Sequence, residues 1–289
     1  MNSQYLSIAR FIIKVTSECN AEIIFEEGYK YFTTTENTAN PDITIKAFDS
    51  IPKNLSEKIF LLFEVKNNNQ NFFSIYKHND SLKLFIYSQE KINTLQQIAI
   101  LNKELNEWEI YCLPDKENKI NPLLYPLGSL ILYYLTVKFD AIMIHSSGIF
   151  DGNKGRIFSG FSGAGKSTMA GLWQNIGSTI INDDRLIIRR FENEYIMFNT
   201  PMHYADIYRE APLHTISLIH HSPENIIKKI NGALAVSSVM AHCIQHSYNN
   251  NYLQHHLDFL SELCNTISIY SIGFKPDHEI IELIKEHAG

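Results

Sequence analysis

The segment Arg156 to Trp173, RIFSGFSGAGKSTMAGLW, constrains the fold more tightly than any other part of the chain. Gly160, Gly165, Lys166 and Ser167 complete the pattern G-x-x-x-x-G-K-[ST]. Such a loop needs a strand to deliver it and a helix to receive it, because its backbone N–H groups curl around a polyphosphate and the helix N-terminus points at that charge. Gly160, Ser162, Gly163, Ala164, Gly165, Lys166, Ser167 and Thr168 are therefore expected to cradle ATP. Lys166 would set a point charge against the β and γ oxygens, and the Ser167 hydroxyl would face Mg²⁺. The competing reading is a glycine-rich strand-to-helix turn that matches by chance.

Downstream, STIINDDRLIIRRF reads as an apolar strand that delivers Asp183 and Asp184. Between these acids and the loop there is room for one helix and the start of one strand. If that strand runs parallel to the loop's own, both C-terminal ends meet at one sheet edge and two carboxylates stand beside the phosphates. One can then hold Mg²⁺ while the other takes the proton of an attacking hydroxyl. The bland alternative is a solvated Asp-Asp turn. His145, in IHSSG, is expected on a strand beside the loop's strand, either orienting the acceptor or satisfied within the core. Arg185 and Arg209 are candidates for neutralising the transferring group, or else for surface ion pairs. His242 and His246 in HCIQH are expected to share a helical face, but no acid accompanies them at metal-ligand spacing. The pairs His220/His221 and His255/His256 are expected at a strand end and on a helix surface.

The first half has a different grammar. AEIIFEE, YKYFTTT, DITIKAF, KIFLLFEV, FFSIYKH, LKLFIYS and EWEIYCL predict the strands of a mainly antiparallel domain, with a helix over EKINTLQQIAILNKELNE between the last two. The polar stretch PDKENKIN marks a boundary, giving residues 1–120 as a recognition or packing domain and residues 121–289 as the catalytic domain. Pro122 to Val137 is expected as a buried helix with Asn121 as N-cap, Pro122 at the first helical position and Lys138 near the end. It is shorter than the ~20 residues that a membrane span requires, and Pro126 and Gly128 interrupt it.

Past it, AIMIHSSGIF and KGRIFSG read as two strands joined by DGNKG, with a helix from the loop to about Asn175. A strand HTISLIHH, a helix over Leu234 to Tyr248, a second to Cys264, a strand ISIYSIGF and a terminal helix begun by KPDHE complete a mixed α/β fold. A net charge of −6, with no Lys/Arg block longer than two, gives no nucleic-acid or anionic-membrane footprint. The four widely spaced cysteines contain no C-x-x-C pair and the N-terminal segment lacks an export signal, so reduced thiols and a cytoplasmic location are expected.

The run IHSSGIF…KGRIFSGFSGAGKSTMAGLW…INDDRLII resembles the catalytic domain of the HPr kinase/phosphorylase family, whose P-loop shares its fold type with ATP-dependent phosphoenolpyruvate carboxykinase. The resemblance spans roughly Asp140 to Lys275. It implies that His145 is the family's histidine one strand before the loop, that Asp183 is the general base, and that Asp184 and Ser167 contact Mg²⁺. It also implies a homo-oligomer. Thr168 stands where the regulatory enzymes usually carry an acid, and their later phosphorylase signature has no recognisable match here. The chain therefore looks more like diverged HPr-kinase-like proteins, some of which phosphorylate hydroxyls of peptides or small molecules.

Three functions are expected in descending order. The first is an ATP/Mg²⁺-dependent kinase acting on a serine-type hydroxyl of a peptide, protein or small molecule, with Asp183, Lys166, His145 and Arg209 as its catalytic set. The second is a nucleotide-dependent binding module without fast turnover. The third is a carboxykinase-like enzyme, which would need a transition-metal site and an arginine cradle.

Overall fold

In the computed structural model, which describes residues 3–35, 40–52, 59–91, 94–201 and 207–287, the β-branched and aromatic runs of the first half do form strands. They are β1 (Ser3–Ile8), β2 (Phe11–Ser17), β3 (Glu22–Ile23), β4 (Thr33–Thr34), β5 (Ile43–Phe48), β6 (Phe60–Asn67), β7 (Gln70–His78), β8 (Ser81–Tyr87), β9 (Leu95–Leu101), β10 (Glu107–Cys112) and β11 (Lys119–Ile120). Nine lie in one sheet in the order β4-β1-β2-β5-β10-β9-β8-β7-β6, and β11 pairs with β3 in a second. The large sheet is mainly antiparallel, as expected, except that β5 runs parallel to both neighbours, β2 and β10. The chain divides into two units, the first comprising Met1–Leu135, Pro201–Asp206 and His246–Tyr248, and the second comprising Thr136–Thr200, Ile207–Gln245 and Asn249–Gly289.

Four expectations for this part are corrected. The segment expected as a helix over Glu90 to Glu107 contains β9, with Ile92 and Asn93 outside the described residues. β9 lies between β8 and β10, and Gln97, Ile98, Ala99 and Leu101 are all buried. A strand covered on both faces loses its alternation and reads like a buried helix. YKYFTTT is mostly a 3₁₀ helix over Glu27–Phe32, and AEIIFEE contributes only β3. KIFLLFEV does form its strand, β6, from Phe60, with Lys58 outside the described residues. The core helix α1 spans Leu127–Lys138 rather than starting at Pro122. Pro126 disfavours helical dihedrals at Tyr125, so the helix waits until the proline has passed. Asn121 instead caps a turn, its Oδ1 accepting from the Leu123 amide at 3.1 Å.

The second unit carries β12 (Ala141–Phe150), β13 (Gly155–Ser159), α2 (Lys166–Asn175), β14 (Thr179–Phe191), β15 (Glu194–Asn199), β16 (Glu210–His221), β17 (Ile226–Ile230), α3 (Gly232–Met240), α4 (Asn250–Thr266), β18 (Ser268–Phe274) and α5 (Glu279–His287). Its sheet has the order β13-β12-β14-β15-β16-β18-β17, and a further pairing of β13 with β16 closes the first five strands into a ring. Helices cover both faces. Ile149, Phe158, Ile219 and Ile272 pack with Met169, Ala170 and Trp173 of α2 and with Ile280, Ile281 and Ile284 of α5. Ile142, Ile144, Ile157, Leu186 and Ile188 pack with Ala235 and Val239 of α3 and Phe259, Leu260 and Leu263 of α4. Alternate residues of β12 and β13 serve the two cores, which is the period-2 pattern of a sheet. The α2 core also buries Arg156, paired with Asp151 at 3.3 Å, its guanidinium 5.2 Å from the Trp173 ring centroid.

Candidate functional site

At Gly160 the chain leaves β13 and turns into α2. A Cβ at Gly160 would lie 2.6 Å from the Ile219 carbonyl oxygen, so the loop departs where only glycine fits. Gly163 and Gly165 have φ of 81° and 92°, and a Cβ on Gly165 would also meet Phe274 at 2.8 Å. The Ala164 amide donates to Phe161 O at 3.0 Å, the Met169 amide to Gly165 O at 2.9 Å, and the His221 Nε2 lies 2.7 Å from Gly163 O. Gly165 gives α2 no side-chain cap, so the first-turn amides are open to an anion. Ser162, Ser167 and Thr168 are exposed. Lys166 Nζ donates to the carbonyl oxygens of Gly160 at 3.0 Å and Phe161 at 3.4 Å.

The acids' strand runs parallel to the loop's strand, as expected, but the acids do not sit at its end. β12 separates β13 from β14 and runs antiparallel to both, so the loop's strand and the acids' strand point the same way without touching. Asp183 and Asp184 lie inside β14, which continues to Phe191, rather than at its end. The register still brings them to the loop. Ser146 pairs with Ser159 on one side and with Asp184 on the other, giving a row Ser159–Ser146–Asp184 across three strands where the loop departs. A bulge in this pairing, after Gly148, leaves Ile181 as the extra residue and re-aims the segment beyond it. Asn182 Nδ2 secures that segment on Arg185 O at 2.6 Å, joined by Thr200 Oγ1 at 2.9 Å.

Ser147 Oγ donates to Asp183 Oδ1, and Asp183 N donates to Asn182 Oδ1 at 3.0 Å. Asp184 lies 3.6 Å from both His145 Nε2 and Arg185 Nε. Burial and the neighbouring Lys166 charge lower the His145 pKa below its ordinary value, against the pull of Asp184. The imidazole is therefore neutral at pH 7.

Past Ser159 the edge of β12 is taken over by another part of the chain. His145 N donates to His242 O at 2.9 Å, Ile144 bridges Cys243, and Ile244 N donates to Met143 O at 2.8 Å. This capture corrects the expected helix over Leu234 to Tyr248, because α3 stops at Met240 and His242 and His246 share no helical face. His242 instead faces Phe161 with ring centroids 5.0 Å apart, and its own pKa is lowered by burial, then by Lys166 and His145. Among the described residues no group of three or more His, Cys, Asp and Glu is placed to hold a metal ion. His220 and His221 do end a strand, exposed, but His256 on α4 is fully buried with Nδ1 at Gln245 rather than on the helix surface.

His145, Lys166, Asp183 and Asp184 thus converge, joined by Ser147, Arg185 and His242. Arg209 lies across β15 from them, its backbone N donating to Asn199 Oδ1 at 2.9 Å. Ser147 carries a sequence signal, since it stands two residues after His145 on the same strand face. His242 carries none, because backbone pairing between segments distant in sequence places it.

No family model and no curated protein matches the chain. Among solved structures it is similar to the Hpr(Ser) kinase/phosphatase from Coxiella burnetii, at 12% identity and a TM-score of 0.29 over 50% of this chain and 93% of that one. At that score the likeness carries no argument about fold or chemistry. No helix among the described residues is long and apolar enough to cross a membrane.

Proposed function

We propose that the protein is an ATP- and Mg²⁺-dependent phosphotransferase that phosphorylates a hydroxyl group. The observation that supports this reading is the row Ser159–Ser146–Asp184, which aligns Asp184, with Asp183 one residue before it on β14, with the strand end from which the G-x-x-x-x-G-K-S loop departs. A turn that matched the motif by chance would have no reason to meet an acid pair and a histidine there.

The donor set fits the ion, since Ser167 is an exposed first-turn hydroxyl and Asp184 is only partly covered. Ser167 and Asp184 would hold Mg²⁺, which would supply neutralisation of the polyphosphate charge. The loop amides and α2 orient the phosphates, and Lys166 leaves the Gly160 and Phe161 carbonyls to meet the β and γ oxygens. Ser147 occupies one oxygen of Asp183 and leaves the other to accept the acceptor's proton. His145 stands beside Asp184 without adding charge, and Arg185, paired with Asp184, would neutralise charge on the transferring group. Residues 121–289 would form the catalytic part, and residues 1–120 a recognition or packing part.

The test is incubation of γ-labelled ATP and Mg²⁺ with fractionated host extract and wild-type, Lys166→Ala or Asp183→Asn protein. Label following one fraction with the wild type alone supports the reading, whereas tight ATP binding without transfer in any fraction would convert the protein to a nucleotide-dependent binding module.

A further inference from the structure

A cleft of about 430 Å³ opens beside the loop on the second unit. Gly160 and Phe161 form one wall, and His220 and Ser271, from β16 and β18, form another. Ser237, Ser238 and His242, from α3 and the segment after it, close the third side. This volume lies within the roughly 300–1,000 Å³ usual for small-molecule sites. Among the described residues, none that lines it is a lysine, arginine, aspartate or glutamate. Lys228, paired with Ser271 on the edge strand β17, stands outside that lining.

We infer that this cleft binds the phosphoryl acceptor and that the acceptor is a small uncharged alcohol of the polyol, sugar or nucleoside class. The inference rests on the phosphotransferase reading and narrows it. Its first support is position. Lys166 Nζ is hydrogen-bonded to Gly160 O and Phe161 O, the two loop residues that line the cleft. In a loop of this type the lysine meets the β and γ phosphates, while the α and β phosphates lie along the amides that lead into the helix. The transferable end therefore faces the cleft, and the nucleoside of ATP lies away from it.

The second support is chemistry. Three serine hydroxyls and the His242 imidazole both donate and accept hydrogen bonds, which suits hydroxyl groups, whereas an acidic acceptor would need a cation in the wall. Burial and Lys166 hold His242 in its neutral, two-way form. Phe161, 75% exposed, offers a flat apolar face to the carbon skeleton of a ring. Asp183 stands outside the lining but neighbours His145, which neighbours His242 of the wall, so an acceptor O–H projecting past His242 gives its proton to Asp183 and its oxygen bonds to the γ phosphorus. The bond from that phosphorus to the bridging oxygen of ADP breaks, and ADP leaves with the electron pair.

The experiment uses the full chain with glycerol, ribose, glucose and inosine, set against glycerate and a serine-containing peptide. Binding is read by ligand-observed NMR without ATP, transfer is read with γ-labelled ATP, and ATP affinity is titrated separately. Wild-type protein should bind and label at least one of the uncharged alcohols. Ala241→Trp, which fills the cleft from the end of α3, should lose more than about tenfold in that binding with ATP affinity unchanged. Ser238→Phe repeats the test should the first variant fail to fold. Label passing only to glycerate or peptide, no alcohol binding, or a filled cleft that still transfers normally would each overturn the inference. Failure of the wild type to bind ATP would instead sink the phosphotransferase reading, and alcohol binding measured without ATP would still decide the cleft.

Discussion

His246 should make the first unit acid-sensitive by an amount that follows from its surroundings. It is 5% exposed, with its ring centroid 4.1 Å from Tyr133, 5.2 Å from Phe63 and 5.9 Å from Phe73. Nδ1 has no hydrogen-bond partner among the described residues. Burial lowers its pKa from 6.5 to about 4. For a base whose folded pKa is depressed, the unfolded chain binds the proton first, so stability is complete above pH 6.5 and falls as pH drops toward 4. Linkage between these two values costs about 2 kcal/mol at pH 5 and about 3 kcal/mol at pH 4. The assay is urea unfolding from pH 7.5 to 4.5 in a Trp173→Phe background. The chain has two tryptophans, so Trp108 then reports the first unit alone. His246→Phe keeps a ring in the same aromatic site and cannot titrate, so it should reduce the acid loss at pH 5 by about 2 kcal/mol. Wild-type stability that stays flat from pH 7 to 5, or an undiminished acid loss in His246→Phe, would refute the reasoning.

Other substitutions address the site. Ser147→Ala removes a charge-assisted hydrogen bond from Asp183, worth about 1.5–3 kcal/mol, and should lower turnover about 10- to 100-fold at unchanged ATP affinity, with Ser147→Thr restoring much of it in steady-state assays. Asp183→Asn should retain ATP binding in calorimetry while turnover falls about 10²- to 10⁴-fold. Gly165→Ala forces a Cβ onto Phe274 at positive φ, and equilibrium titration should show ATP affinity falling more than about tenfold. Gly171→Ala, in open space within α2, should leave affinity intact and raise stability by about 0.5–1 kcal/mol in thermal melts.

The loop, the strand feeding it and the helix leaving it were legible because Gly160, Gly163 and Gly165 sit at positions that backbone geometry reserves for glycine. His145 was legible in topology as well as chemistry, since β12 lies beside the loop's strand as expected, and the acids' strand has the expected direction. What the spacing did not show is that β12 stands between the two strands and that the row through Ser146 links Asp184 to the loop's strand. Local periodicity failed in two opposite ways. β9, buried on both faces, mimicked a helix, and the segment His242–Ile244, helical in pattern, was drawn into backbone pairing with β12. Neither competition is written in neighbouring residues, since each is decided by a partner distant in sequence.

The central claim is that the loop and the acids form one site for a metal-bound nucleotide. Calorimetric titration of ATP with and without Mg²⁺, on wild-type and Asp184→Asn protein, tests it most directly. The account requires Mg²⁺ to tighten ATP binding by the wild type and to lose most of that effect in Asp184→Asn. Wild-type ATP affinity indifferent to Mg²⁺, or a Mg²⁺ effect that survives intact without the Asp184 carboxylate, would contradict it.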